Sequence, residues 1–67
     1  MTATRATRVE RKAQTRSDLL TAARRVFLRS GFHGASVEEI AEEAGYTKGA
    51  VYSNFEDKAA LYLAVLA

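Results

Sequence analysis

Thr47, Lys48, Gly49, Ala50, Tyr52, Ser53 and Asn54 are the residues of this chain whose types and spacing carry a recognisable chemistry. At about 100° per residue, Val51 and Phe55 fall on one side of a helix, and Gly49, Tyr52 and Ser53 fall roughly opposite, flanked by Lys48, Ala50 and Asn54. Val51 and Phe55 suffice to anchor such a helix to a core. The other side is nearly without bulk at Gly49 and Ala50, so its backbone can come close to a groove wall. Lys48 and Tyr52 are long enough to reach phosphates, and Ser53 and Asn54 carry short hydrogen-bonding groups of the kind that read base edges. A glycine inside a helix costs about 1 kcal/mol relative to alanine, and core packing does not require an outward tyrosine. The pattern is that of a helix laid into the major groove of double-stranded DNA.

Local signals position this helix. Thr47 is a good N-cap for it. Before it, Ser36 begins a short helix with Glu39 three residues on, the spacing of a capping box. Val37, Ile40, Ala41 and Ala44 form its apolar side. Glu38, Glu39, Glu42 and Glu43 form its solvent side, expected to point away from phosphates. Gly45 ends this helix and allows the turn into the next, giving two short helices hinged at a glycine. Earlier still, Leu19, Leu20, Ala23, Val26 and Phe27 recur at helical spacing. Gly31 stops that helix in the left-handed conformation usual at a C-terminus, and Phe32 folds back onto its last turn. Asp57 caps a fourth helix starting at Lys58. There the helix dipole disfavours a cation, which suggests that a phosphate beside Lys58 offsets the cost. The expected helices span about 11–30, 36–44, 48–54 and 58–67. The fold class is all-α: a three-helix helix-turn-helix domain with the start of a fourth helix.

Composition narrows the alternatives. A chain of 67 residues with net charge +2, no cysteine and one histidine has no disulfide framework, thiolate metal site or histidine cluster. No nucleophile–base pair or glycine-rich phosphate loop is present, so an enzyme is not expected, nor is a cofactor or metal. The lack of disulfides fits a cytosolic protein. No apolar segment follows the basic N-terminus as in a signal peptide, and no run approaches the ~20 residues of a membrane span. Up to Arg16 the bases Arg5, Arg8, Arg11, Lys12 and Arg16 face Glu10 alone, whereas from Ser17 onward acids outnumber bases. Residues 1–10 read as a basic disordered arm, and the later arginines, Arg16 among them, as phosphate contacts. The final helix is apolar on every face, which points to burial against something further. The expectation is that it continues into another domain, or that two copies pair through it. A small helical module docking a protein partner through this helix is the rival reading.

The residues also resemble a known family. Leu19-Leu20-x-Ala22-Ala23-x-x-Val26-Phe27, Gly31-Phe32, Ser36-Val37-x-x-Ile40-Ala41-x-x-Ala44-Gly45, Thr47-Lys48-Gly49-Ala50-Val51-Tyr52-x-x-Phe55 and Lys58-x-x-Leu61 together resemble the N-terminal DNA-binding domain of the tetracycline-repressor (TetR) family over residues 16–66. The resemblance implies a cytoplasmic, nucleoid-associated bacterial transcriptional regulator. It would bind operator DNA as a two-fold homodimer and in most cases repress. A larger helical C-terminal domain, absent from this chain, would dimerise and bind a small-molecule effector. It further implies that 48–54 is the recognition helix. Thr47, Lys48, Tyr52, Lys58 and the Ser36 hydroxyl would touch phosphates, and Gly49, Ala50, Ser53 and Asn54 would lie at base edges. Two departures stand out: Ala35 replaces a frequent threonine, and Tyr46 is bulkier than the usual small aliphatic residue.

Overall fold

The computed structural model describes residues 8–67, which form four helices: α1 (Arg8–Gly34), α2 (Val37–Ala44), α3 (Lys48–Asn54) and α4 (Lys58–Leu66). The sequence places the first helix at 11–30, but α1 starts at Arg8, so residues 8–10 of the expected arm are helical. Residues 1–7 lie outside the described chain. At the other end Gly31 has φ 75 and ψ 171, a break from helical backbone inside α1. The long straight helix therefore ends where the glycine predicts. A final turn carries Phe32 back over Phe27, with ring centroids 6.1 Å apart. Tyr62 of α4 meets both rings edge-on at 5.0 and 5.1 Å, an arrangement that the aromatic quadrupole favours.

Each short helix starts on the cap that its sequence supplies. The Ser36 hydroxyl accepts from the Glu39 amide, Thr47 from the Ala50 amide, and Asp57 from the Ala60 amide. The Glu39 carboxylate serves Arg29 of α1 at 3.1 Å instead of completing a capping box. At Gly45 (φ 82, ψ 25) the chain turns left-handed. The Tyr46 amide then bonds Ala41 O at 2.9 Å, and the Gly45 amide bonds Glu42 O at 3.2 Å. Those two bonds close a Schellman motif, satisfying the carbonyls that a helix end leaves open.

The core lies where α1, α2 and α4 converge and α3 caps it. Leu19, Ala23 and Val26 of α1 pack with Ile40 and Ala41 of α2, Val51 of α3, Phe55 after it and Leu61 of α4. As the apolar spacing predicts, α3 is held from behind by Val51 and Phe55, both buried. The fourth helix is covered on one side only: Leu61 is fully buried, while Leu63 and Leu66 are 65% and 63% exposed. Among the described residues no helix is long and apolar enough to cross a membrane.

Candidate nucleic-acid interface

The outward side of α3 is built by the same spacing that buries its back. Gly49, Tyr52 and Ser53 are exposed, with Tyr52 keeping half its surface open to solvent. Ala50 and Asn54 are half-buried at the flanks. The Asn54 amide donates to Ala50 O at 2.9 Å, and the Ser53 hydroxyl donates to the same oxygen at 3.1 Å. In the free protein both expected base-reading donors are thus turned onto their own helix, the local competition usual for short polar side chains. Thr47 is exposed but acts as the N-cap, with Oγ1 3.1 Å from the Ala50 amide nitrogen.

Four of the expected contacts meet in one place. Ser36, Lys48, Tyr52 and Lys58 line an open cleft of about 280 Å³ together with Ala35, Val37 and Glu38. The cleft lies between the N-terminus of α2, the first turns of α3 and the start of α4. It gathers two ammonium groups, two hydroxyls and the positive end of a helix dipole, a set suited to an anion. The sequence argument for Lys58 needs correcting here. What offsets its unfavourable place at a helix N-terminus is protein, not phosphate. Its Nζ donates to Phe32 O at 2.6 Å and Ala35 O at 2.9 Å and lies 4.4 Å above the centre of the Phe32 ring. An ammonium has three donors, so these two carbonyls leave one for the cleft. Lys58 therefore ties α4 to the connector that carries Ser36.

Arg16 stands apart from this group. Its guanidinium carbon is 4.6 Å from the centre of the Phe55 ring, at the far end of α3. Beside it, Lys12 reaches Ser53 O at 3.4 Å. The basic first half of α1 thus runs past the C-terminal end of α3, while the cleft lies at its N-terminal end.

Sequence reasoning missed four long-range pairs, two of them made by Arg29. The Tyr46 hydroxyl donates to Asp18 Oδ2 at 2.6 Å, joining the helix-turn-helix turn to α1. This hydrogen bond, and a second from Gln14, holds the Asp18 carboxyl below its ordinary value, and the bond to Asp18 raises the Tyr46 phenol. The unusual bulk of Tyr46 was the available signal. Arg29 bridges Glu39 and Glu43 at 3.1 and 3.3 Å, and these bonds raise its guanidinium further above its already high value. The last pair overturns an expectation about the acidic face of α2. Glu38 does not point away from the candidate interface: its Oε2 is 3.1 Å from Lys48 Nζ.

Comparison with known proteins agrees with this fold. Residues 19–65 match the family described as bacterial regulatory proteins, tetR family. The chain is 47% identical over 53 residues to the HTH-type transcriptional activator FasR of Mycolicibacterium smegmatis, covering 79% of this chain and 24% of that protein. It is 43% identical over 54 residues to the HTH-type transcriptional repressor BepR of Brucella suis, covering 81% of this chain and 26% of that one. A crystal structure of a HlyIIR mutant superposes with a TM-score of 0.79 at 35% identity, covering 81% of this chain and 30% of the other. The chain thus spans about a quarter of the length of the relatives it matches. With the family match over most of its length and the same helical fold in a solved relative, this chain belongs to the tetR family of bacterial regulatory proteins.

Proposed function

We propose that the chain is the DNA-reading head of a transcriptional regulator, with α3 entering the major groove of double-stranded operator DNA. The observation that carries this reading is the two-sided build of α3. Val51 and Phe55 hold its back to the core, while Gly49, Tyr52 and Ser53 present a low, exposed ridge. Lys48, Tyr52, Ser36 and Lys58 at the cleft take the phosphate on one side of the groove. Thr47 lies beside them, and Arg16 follows the backbone at the other end. Gly49 and Ala50 bring the helix close to the bases, and Ser53 and Asn54 exchange their Ala50 bond for base edges. The chemistry is recognition only, with no catalytic step. The named relatives include an activator and repressors, so the direction of regulation is set outside this surface. In the longer protein two such heads act as a homodimer on a two-fold site, and a small-molecule effector acts through the part beyond these residues.

The test is duplex binding across a salt series. Contacts to several phosphates make affinity fall steeply between about 50 and 200 mM salt. Lys48→Met and Tyr52→Ala are expected to weaken binding about equally on all sequences, because both side chains face phosphates rather than bases. If both variants bind like wild type while remaining folded, this face of α3 is not the interface.

A further inference from the structure

Phosphate recognition leaves one charge of the cleft without a role. Glu38 lines it beside Ser36, Lys48, Tyr52 and Lys58, where a carboxylate repels the DNA backbone. The other acids of α2 are placed differently. Glu39 and Glu43 are engaged by Arg29 on the α1 side, and Glu42 lines a neighbouring cleft with Tyr46, which Glu38 and Lys48 also border. Among the four acids of α2, Glu38 is the one ion-paired with Lys48, at 3.1 Å, through side chains that are 52% (Lys48) and 71% (Glu38) exposed. A pair so open to solvent contributes little to folding, so stability gives no reason for it. A carboxylate oxygen hydrogen-bonded to a lysine in an anion cleft occupies the place of a phosphate oxygen.

We infer that Glu38 sets the affinity of this head for DNA: its carboxylate holds Lys48 in the free protein as a phosphate would, and must yield it before Lys48 engages the backbone. The inference rests on the DNA reading above. In the free protein Lys48 is already partly neutralised, and in the complex Glu38 remains beside the incoming phosphate. Lys48 therefore neutralises less than one full phosphate charge. Removing the carboxylate restores the whole charge, and each phosphate fully neutralised steepens the slope of log K against log salt by about 0.9. Because Glu38 acts on the backbone contact, it restrains binding to every sequence alike.

The experiment measures duplex affinity across a salt series for wild type, Glu38→Gln, Glu39→Gln, Lys48→Met and the double variant Glu38→Gln/Lys48→Met. Glutamine keeps helix-forming tendency close to that of glutamate, and circular dichroism confirms the fold of each. Glu38→Gln is expected to tighten binding at low salt by up to about fivefold, the worth of an exposed ion pair, and to steepen the salt slope. Glu39→Gln makes the same change of net charge on the same helix, but its carboxylate belongs to Arg29, so the slope stays at the wild-type value. In the Lys48→Met background Glu38→Gln keeps only the relief of direct carboxylate–phosphate repulsion, so its effect on affinity and slope is smaller than in wild type. An unchanged slope in Glu38→Gln, an equal change in Glu39→Gln, or an effect undiminished without Lys48 each overturns the role of Glu38. A folded wild type that binds no duplex at any salt removes the DNA reading itself; a wild type that binds, with Glu38→Gln unchanged, removes only the role of Glu38.

Discussion

Replacing Gly49 by alanine is expected to stabilise the fold and weaken DNA binding. Gly49 is the second residue of α3 and lies on its exposed side. Positive φ occurs at Gly31 and Gly45, so Gly49 has ordinary helical backbone that alanine adopts without strain. A methyl built there meets Thr47 Oγ1 at 3.8 Å, an ordinary contact. Nothing in the free protein resists the substitution, and restricting the unfolded chain contributes about 0.4–1 kcal/mol. For a domain this small that is a rise in Tm of roughly 2–8 °C. In the complex the same methyl occupies the gap through which the α3 backbone approaches the groove. Overpacking of one such group costs about 1–3 kcal/mol, or roughly five- to 150-fold in affinity. Thermal unfolding gives the first quantity. Fluorescence anisotropy on a duplex selected from a random pool by the wild-type chain gives the second. An alanine variant that is more stable yet binds as tightly as wild type would refute the close approach at Gly49. One that unfolds more easily would refute the account of its backbone.

Further outcomes follow from the tertiary contacts. Tyr46→Phe removes the bond to Asp18 and should make the acid limb of stability shallower. The depressed Asp18 pKa contributes stability that is full above the unfolded value of about 3.8 and fades as pH falls through the lower folded value. Urea unfolding from neutral to acidic pH checks this, and identical acid limbs in both proteins would exclude the bond as their cause. The raised Tyr46 phenol acts at the other extreme, its contribution being lost as pH rises past about 10. Lys58→Met keeps the side-chain stem but leaves Phe32 O and Ala35 O without their donor, at a cost of about 1–3 kcal/mol; a Met variant melting with wild type would show that the tie is dispensable. Leu61→Ala, at a fully buried site, should lose about 2–5 kcal/mol, much of the stability of a domain this size. Leu63→Ala, two residues on and exposed, should stay within about 0.5 kcal/mol; equal losses at both sites would mean that α4 packs in another register.

Much of this protein is written in short-range signals that need no tertiary context. Ser36, Thr47 and Asp57 announce helix starts because each cap bond spans three residues. Gly31 and Gly45 announce helix ends because only glycine takes their backbone cheaply. Val51 and Phe55 mark the buried side of α3 by helical period alone, and the exposure of Gly49, Tyr52 and Ser53 follows from the same arithmetic. Other features depended on packing. Tyr46 finds Asp18 across 28 positions, and Lys58 finds Phe32 across 26. These distances close only when α1 and α4 settle against the same core. From sequence Lys58 calls for a phosphate because a sequence shows the helix dipole acting on a residue but not the carbonyls that folding brings beside it. From sequence Glu38 belongs to a solvent face because periodicity ranks faces within one helix and says nothing of the lysine on the next. The residues of the candidate interface were therefore legible in the chain. Their partners were not, because a partner is a fact about where two separately encoded elements come to rest.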